Sequence, residues 1–216
     1  MNRLKNFFEN TNECKVIGRD ALMNAGVITL FCEIDGKIYV LFEKRAAGIR
    51  QAGEICFPGG KKDKEDKNFL ETALRETYEE IGIPRERIKG AKKYGSLILP
   101  IGVVVESSIG YIDNFSLDEL KVNKDEVEKI ILVPLDFFLN TKPEMEYVNV
   151  ENQPYYEDKT GTKIRFEAEK WGLPEKYTKP WTGNPRRIIV YVYEDEVIWG
   201  ITGEIIFNIA REILAL

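Results

Sequence analysis

The stretch from Gly59 to Ile83 constrains the fold more than any other part of the chain. A glycine pair and a charged loop lead into a segment with helical periodicity. The helix is predicted to end at Gly82, because glycine readily takes the left-handed cap conformation. At about 100° per residue, one side of this helix is predicted to be core and the other acidic. The predicted core positions are Leu70, Leu74, Tyr78 and Ile81, and the acidic positions are Glu76, Glu79 and Glu80.

The acidic side of this helix has two interpretations. An ordinary amphipathic helix carries solvated charges on its outer side, and exposed charged residues are the norm. Carboxylates three and four residues apart repel one another, however, and only Arg75 in this segment is well placed to offset them. A divalent ion such as Mg²⁺ would offset them better, because hard cations take oxygen ligands from carboxylates and from substrate phosphates.

The spacing of these residues favours the second interpretation. The run Arg75-Glu76-x-x-Glu79-Glu80-x-Gly82-Ile83, preceded by Gly59-Gly60, resembles the signature of the Nudix hydrolases. The resemblance implies an α/β Nudix fold, in which a mixed β-sheet is sandwiched between helices. It implies hydrolysis of a nucleoside diphosphate linked to another moiety. It also implies Mg²⁺ or Mn²⁺ as the cofactor, held by Glu76 and Glu80, with Glu79 completing or bridging the cluster.

A further acidic residue comes from outside the helix. Residues 122–135 resemble the Asn-x-x-Glu-Val and Val-Pro-Leu runs of many Nudix proteins, in which a glutamate on this loop approaches the metal site. That glutamate is Glu126 here; the alternative is a surface carboxylate beside Asp125 and Glu128. The resemblance implies that Glu126 or one of the helix glutamates, such as Glu79, is the general base that takes a proton from water.

The segment before the glycine pair indicates a branch of this family. Residues 45–63 are similar to the extended motif of the coenzyme A pyrophosphatase branch, which shares a loop one residue longer than usual. Ala46 and Gln51 depart from that motif, which has serine and histidine there. The resemblance implies coenzyme A or its thioesters as substrate, cleaved to a 4′-phosphopantetheine product and adenosine 3′,5′-bisphosphate. The alternatives are ADP-ribose or nucleoside triphosphates as substrates, or a non-catalytic ligand sensor or protein-binding module.

Three basic residues in and beside this motif are candidate substrate contacts: Arg45, Arg50 and Lys61. A guanidinium suits phosphate binding because its planar fork binds oxyanions through two hydrogen bonds. Taken alone, the same side chains read as solvated surface charges. Glu54, in the same segment, either pairs with one of the arginines or lies near the metals.

The rest of the chain predicts one domain over residues 1–216, with an insertion at about 140–185. Asp35-Gly36 between two β-rich runs predicts an antiparallel hairpin. Within the insertion, aromatic side chains either anchor a local core, which we expect, or stack on an adenine ring. These are Trp171, Tyr177 and Trp181. The run Ile198-Trp199-Gly200-x-Thr202 near the end also resembles the coenzyme A pyrophosphatase branch.

Composition excludes several kinds of site. The 216 residues carry a net charge of −5 and a pI near 5.2, which argues against a nucleic-acid-binding surface but allows a small anionic substrate that cations bridge. The family resemblance implies that this partner is a small nucleotide. The absence of histidine excludes Ser-His-Asp and Cys-His catalytic centres and histidine-ligated zinc.

Cysteine usage and hydropathy bear on location. The odd number of cysteines, Cys14, Cys32 and Cys56, argues against a disulfide framework and fits a reducing cytoplasm. No segment approaches about 18 uninterrupted apolar residues, so a soluble cytoplasmic protein without a membrane partner is expected. A homodimer is compatible with this reading.

Overall fold

The structure is a computed structural model that describes Leu4 and residues 16–216. The helices are α1 (Phe69–Ile81), α2 (Leu135–Asn140) and α3 (Gly200–Leu214). The strands of the N-terminal half are β1 (Met23–Ile34), β2 (Lys37–Arg45), β3 (Ile55–Cys56), β4 (Gly59–Lys61), β5 (Lys89–Leu99) and β6 (Val103–Ile112). The remaining strands are β7 (Val127–Pro134), β8 (Glu144–Val148), β9 (Glu151–Asn152), β10 (Tyr155–Glu157), β11 (Lys163–Arg165), β12 (Trp181–Thr182), β13 (Arg186–Tyr193) and β14 (Glu196–Trp199).

Strands β1 to β7 form one mixed sheet. Its order is β3-β2-β1-β6-β5, with β4 paired to β1 and β7 paired to β2. Strands β1 and β6 run parallel, whereas the other pairs are antiparallel. The predicted hairpin is confirmed, because Ile34 pairs with Lys37 across a two-residue turn. Asp35 and Gly36 have φ of 48° and 74°, a turn that matches the twist of paired strands.

Helices cover both faces of this sheet. Because side chains alternate along a strand, β2 directs Phe42 to one face and Leu41 to the other. Phe42 belongs to a buried cluster with Ile206 of α3, and Leu41 belongs to a second cluster with Ala73 of α1. The predicted α/β arrangement of a mixed sheet between helices is confirmed. A smaller sheet, ordered β14-β13-β8, contributes Ile189 to the α3 side of the core.

Local sequence determines where α1 begins and ends. The side-chain oxygen of Asn68 accepts a hydrogen bond from the Glu71 amide at 3.0 Å, which caps the first turn. The helix ends at Gly82 as predicted, with φ of 77° and its amide donating to the Tyr78 carbonyl at 3.0 Å. A Cβ at this glycine would lie 2.6 Å from the Cβ of Lys121, so the position excludes a larger residue.

Two positions of α1 differ in burial from the prediction, one on its core side and one on its acidic side. Leu74 is buried, but Tyr78 is 61% exposed. The buried stripe is rotated towards Ala73 and Thr77, whose small side chains allow the helix to approach the sheet closely, and it includes Glu80. Glu80 is therefore only 5% exposed and does not lie on a solvated acidic side.

The predicted insertion carries the short strands β8 to β12. Trp171 is 67% exposed, so its assignment as a core anchor is wrong. Tyr177 and Trp181 are half-buried and pack edge to face, with ring centroids 5.4 Å apart. No helix among the described residues is both long and apolar enough to cross a membrane. Cys32 and Cys56 are free thiols, and Cys14 lies outside the described residues.

Candidate active site

The glycine pair of β4 brings backbone into direct contact with the glutamates of α1. The amide of Gly59 donates a hydrogen bond to Glu80 Oε2 at 2.9 Å. A Cβ at Gly60 would lie 2.5 Å from the carboxyl carbon of Glu76. The close approach therefore requires glycine at Gly60. It places two carboxylates, one helical turn apart, against one short strand.

Arg75 organises the neighbouring carboxylates. Its Nε and one terminal nitrogen donate to the two oxygens of Asp66 at 3.1 Å each, and these bonds lower the pKa of Asp66 to about 2. The guanidinium also donates to Glu76 Oε1 at 2.9 Å and to Glu79 Oε2 at 2.7 Å. The prediction that Arg75 offsets the helix carboxylates is confirmed. Asp66 on the charged loop holds Arg75 in this position.

The helix glutamates differ in burial. Glu80 is 5% exposed, whereas the side chain of Glu79 is 50% exposed. Burial raises the pKa of Glu80 to about 8; the hydrogen bond from Gly59 opposes the rise, and the charges of Glu76 and Glu126 add to it. Burial likewise raises the pKa of Glu76, against the favourable charge of Arg75. Two of the predicted ligands therefore ionise less readily than free glutamates.

Glu43 is a further acidic residue, which the sequence reasoning missed. It lies on β2, is 1% exposed, and its Oε1 is buried without a hydrogen-bond partner among the described residues. Burial raises its pKa well above the ordinary range, and the nearby charge of Glu80 raises it further. The available signal was the alternation of β2, which puts Glu43 on the same face as Leu41, towards α1.

The loop before β7 brings Glu126 to the same place. The amide of Asn123 donates to the Glu80 carbonyl at 2.8 Å, and the amide of Ala46 donates to the Glu126 carbonyl at 2.9 Å. The side chain of Glu126 is exposed, and its charge raises the pKa values of Glu43, Glu76 and Glu80. The structure thus brings Glu126 together with the helix glutamates, as predicted from the sequence.

The chemistry of this carboxylate cluster fits a hard divalent cation. Burial and mutual repulsion oppose ionisation of Glu43, Glu76 and Glu80, and a cation favours their ionised forms. The buried Oε1 of Glu43, which has no hydrogen-bond partner among the described residues, also indicates that a positive charge would stabilise this cluster. Within residues 16–216, no three acidic side chains already stand as a ligand group, and Arg75 holds one oxygen each of Glu76 and Glu79.

A basic cavity of about 460 Å³ adjoins the carboxylate cluster through Gly59 and Gly60, which line it. All three predicted phosphate contacts are brought together in its wall: Arg45, Arg50 and Lys61. The wall also contains Arg186 and Trp199, which the sequence reasoning did not assign to the site. Among the described residues, its charged lining consists of four cationic side chains and one carboxylate, that of Glu54. In a chain of net charge −5, this concentrates positive charge beside the carboxylates.

Hydrogen bonds within the loop after β2 arrange this wall. Arg45 Nε donates to the Arg50 carbonyl at 2.9 Å, and the Arg45 amide donates to the Glu54 carbonyl at 3.0 Å. Gln51 Nε2 donates to Glu54 Oε2 at 3.1 Å. Gln51, one of the two residues that depart from the extended motif, therefore lines the cavity and donates a hydrogen bond to Glu54, the acidic residue of its wall.

Comparison with known proteins identifies relatives whose alignments cover most of this chain. The family model described as the NUDIX domain matches residues 23–148. Nudix hydrolase 3 of Caenorhabditis elegans is 30% identical over 188 residues, which cover 85% of this chain and 70% of that protein. The mitochondrial coenzyme A diphosphatase NUDT8 of Homo sapiens is 29% identical over 203 residues, which cover 89% of this chain and 70% of that protein.

A shorter match reaches higher identity. The peroxisomal coenzyme A diphosphatase NUDT7 of Mus musculus is 36% identical over 114 residues, or 52% of this chain. The match covers 46% of the mouse protein, so the aligned part of this chain spans about half of that protein's length.

Proposed function

This chain belongs to the Nudix hydrolase family, and on that premise we propose that it is a divalent-metal-dependent pyrophosphohydrolase for coenzyme A or its thioesters. The products are a 4′-phosphopantetheine compound and adenosine 3′,5′-bisphosphate. The observation that carries the proposal is the juxtaposition of two sites at the Gly59-Gly60 strand. Carboxylates that favour a cation lie on one side, and a cavity lined by basic residues lies on the other.

Glu76 and Glu80 would hold the metal, with Glu79 completing the set. When bound, Mg²⁺ or Mn²⁺ supplies positive charge against the diphosphate and lowers the pKa of water. Arg75 keeps Glu76 and Glu79 oriented, and the Gly59 amide keeps Glu80 oriented. Glu79 and Glu126 are the two exposed carboxylates of the cluster, and either one can take the proton of the attacking water.

The basic wall binds the diphosphate. Arg45 is the last residue of β2, Lys61 is the last residue of β4, and Arg50 lies on the loop between β2 and β3. Guanidinium groups stabilise the charge that develops on phosphoryl oxygens during bond cleavage. These roles remain predictions for Arg45, Arg50 and Lys61.

Two observations bear on the identity of the substrate. The relatives NUDT7 and NUDT8 are named coenzyme A diphosphatases, which supports the assignment. Gln51, which stands where the motif has histidine, lines the cavity, and this departure is the reason that ADP-ribose or a nucleoside triphosphate stays the alternative substrate. The complete set of helix glutamates argues against a non-catalytic ligand sensor or protein-binding module.

Parallel kinetics with three substrates test the substrate assignment. We expect kcat/KM for coenzyme A in Mg²⁺ or Mn²⁺ to exceed that for ADP-ribose and for 3′-dephospho-coenzyme A by about 10- to 100-fold. A charge-assisted hydrogen bond to the extra phosphate raises kcat/KM by roughly that factor when the bond persists in the transition state. Product identification should show adenosine 3′,5′-bisphosphate. Equal or better turnover of ADP-ribose would overturn the substrate and leave the family chemistry standing.

Location and assembly stay predictions. The odd number of cysteines motivates a cytoplasmic location, whereas the relatives include proteins named peroxisomal and mitochondrial. Cell fractionation tests the first, and sedimentation of the purified protein tests the homodimer.

A further inference from the structure

Arg186 is a basic side chain in the cavity wall that no motif assigns. It begins β13 in the three-stranded sheet, whereas Arg45 and Lys61 belong to the seven-stranded sheet. It is half-buried, and its guanidinium makes no hydrogen bond or ion pair with any residue from 16 to 216. A half-buried guanidinium without an anionic partner has unused hydrogen-bond donors, and this one belongs to a residue that lines the cavity.

Arg187, the next residue of β13, has a structural role. Arg187 forms a salt bridge to Glu204 of α3, and its Nε donates to Glu204 Oε2 at 3.3 Å. Its guanidinium also lies 5.2 Å from the centroid of the Phe207 ring. Arg187 thus connects β13 to α3, whereas the Arg186 side chain makes no such contact with the described residues.

The proposed substrate has two separate anionic groups. The diphosphate belongs beside the helix glutamates, within reach of Arg45, Arg50 and Lys61. A phosphate on the ribose is separated from the diphosphate by the sugar, so a cation set apart from those on the diphosphate is suited to bind it. Arg186 is such a cation, and Trp199, also in the cavity wall and 43% exposed, is an aromatic side chain suited to pack against the adjoining base.

We propose that Arg186 binds the ribose phosphate monoester of the nucleotide and thereby determines specificity, with Trp199 against the base. The proposal rests on the proposed function for its choice of ligand. It assigns the discrimination between 3′-phosphorylated and unphosphorylated adenosine nucleotides to one side chain outside the extended motif.

Binding without hydrolysis tests Arg186 independently of the enzyme activity. Calorimetric titration with adenosine 3′,5′-bisphosphate and with adenosine 5′-monophosphate should show tighter binding of the bisphosphate by about 10- to 100-fold. Arg186→Gln should abolish that difference, Arg186→Lys should retain part of it, and Arg187→Gln should leave it in place. A wild-type protein that binds both nucleotides equally, or an Arg186→Gln protein that still discriminates, would overturn the proposal.

Kinetics separate this inference from the proposed function. If coenzyme A is the substrate, Arg186→Gln should lower kcat/KM for coenzyme A by about 10- to 100-fold, with a much smaller loss for 3′-dephospho-coenzyme A. Equal losses on both substrates would contradict specificity at Arg186 while leaving the function intact. Failure of the wild-type protein to cleave either substrate would reject the function, and the nucleotide titrations would still decide the role of Arg186.

Discussion

Glu80 combines properties that seldom occur together in one carboxylate. It is buried, it accepts a hydrogen bond from the Gly59 amide, and its pKa is raised to about 8. At neutral pH a proton and a cation therefore compete for the same side chain, whereas an exposed glutamate would already be ionised. Burial explains how the residue is held in place before the metal arrives. The cost of ionising it is offset when a divalent ion binds.

Neutral replacement of the ligands should separate metal binding from folding. We expect Glu76→Gln and Glu80→Gln each to lower metal-dependent kcat/KM by more than about 100-fold, because each removes a charged ligand. The amide oxygen introduced by Glu80→Gln can still accept a hydrogen bond from Gly59, so the fold should persist. Circular dichroism checks the fold, and the rise in Tm on adding Mg²⁺ or Mn²⁺ reports metal binding.

The same substitution elsewhere on α1 is the matched control. Glu71 pairs with Arg85 near the start of the helix, away from the carboxylate cluster, so Glu71→Gln should change activity by less than about threefold. Near-normal turnover in a folded Glu76→Gln or Glu80→Gln protein would exclude the proposed metal-binding role.

At the level of elements, α1 and β1 are in backbone contact. A Cβ at Gly26 would lie 2.3 Å from the Phe69 carbonyl oxygen and 3.2 Å from the Thr72 Cβ. Gly26 also pairs with Gly60 of β4, and Gly60 in turn lies against the Glu76 carboxylate. Three elements therefore approach one another through glycines, and this approach sets the distance between the helix glutamates and the cavity.

Adding one methyl group at this contact should be costly. We expect Gly26→Ala to lower the free energy of unfolding by about 1–3 kcal/mol or more, because the clash is with backbone that cannot rotate away. Gly95→Ala is the control, since a Cβ there meets nothing within 4 Å and the residue also lies in a strand. Urea unfolding in the presence of EDTA measures both variants. Equal stability of the two proteins would contradict the close packing of α1.

For the whole molecule, the buried acids connect stability to pH. Burial raises the pKa values of Glu43 and Glu80 in the folded protein, so both hold protons at pH values where the unfolded chain has released them. A state that binds more protons is favoured at lower pH. These two residues therefore make the metal-free protein less stable as pH rises. Asp66 acts in the opposite direction, but only as pH falls towards its pKa of about 2.

The expected pH profile follows from these signs. Between about pH 4.5 and pH 8, the free energy of unfolding in EDTA should fall by a few kcal/mol, and the contribution of Glu80 to this fall should end above about pH 8. Glu80→Gln should flatten much of the slope, because it removes one of the titrating groups. Mg²⁺ should stabilise the protein more at pH 8 than at pH 5, since it binds the ionised carboxylates. A metal-free stability that rises across this range would contradict the buried, protonated pair.

Much of the local structure was determined by the sequence alone. The Asn68 cap, the stop at Gly82, the Asp35-Gly36 hairpin and the spacing of the helix glutamates depend on neighbours a few residues apart, so local rules suffice. The resemblance to a known family extended that reach to Arg45 and Glu126, which are distant in sequence and close in the fold.

Only the tertiary structure decided which side chains are covered. Tyr78 shares a helical side with Leu74 yet is exposed, and Glu80 belongs to an acidic run yet is buried, because contact with Gly26 and β4 rotates the buried stripe of α1. Glu43 joins the carboxylate cluster from β2, and Arg186 joins the cavity from a separate sheet. The alternation of β2 indicates which face of the strand carries Glu43, but not that α1 covers that face. Which side chains become buried or meet one another depends on which surfaces pack together in the folded chain.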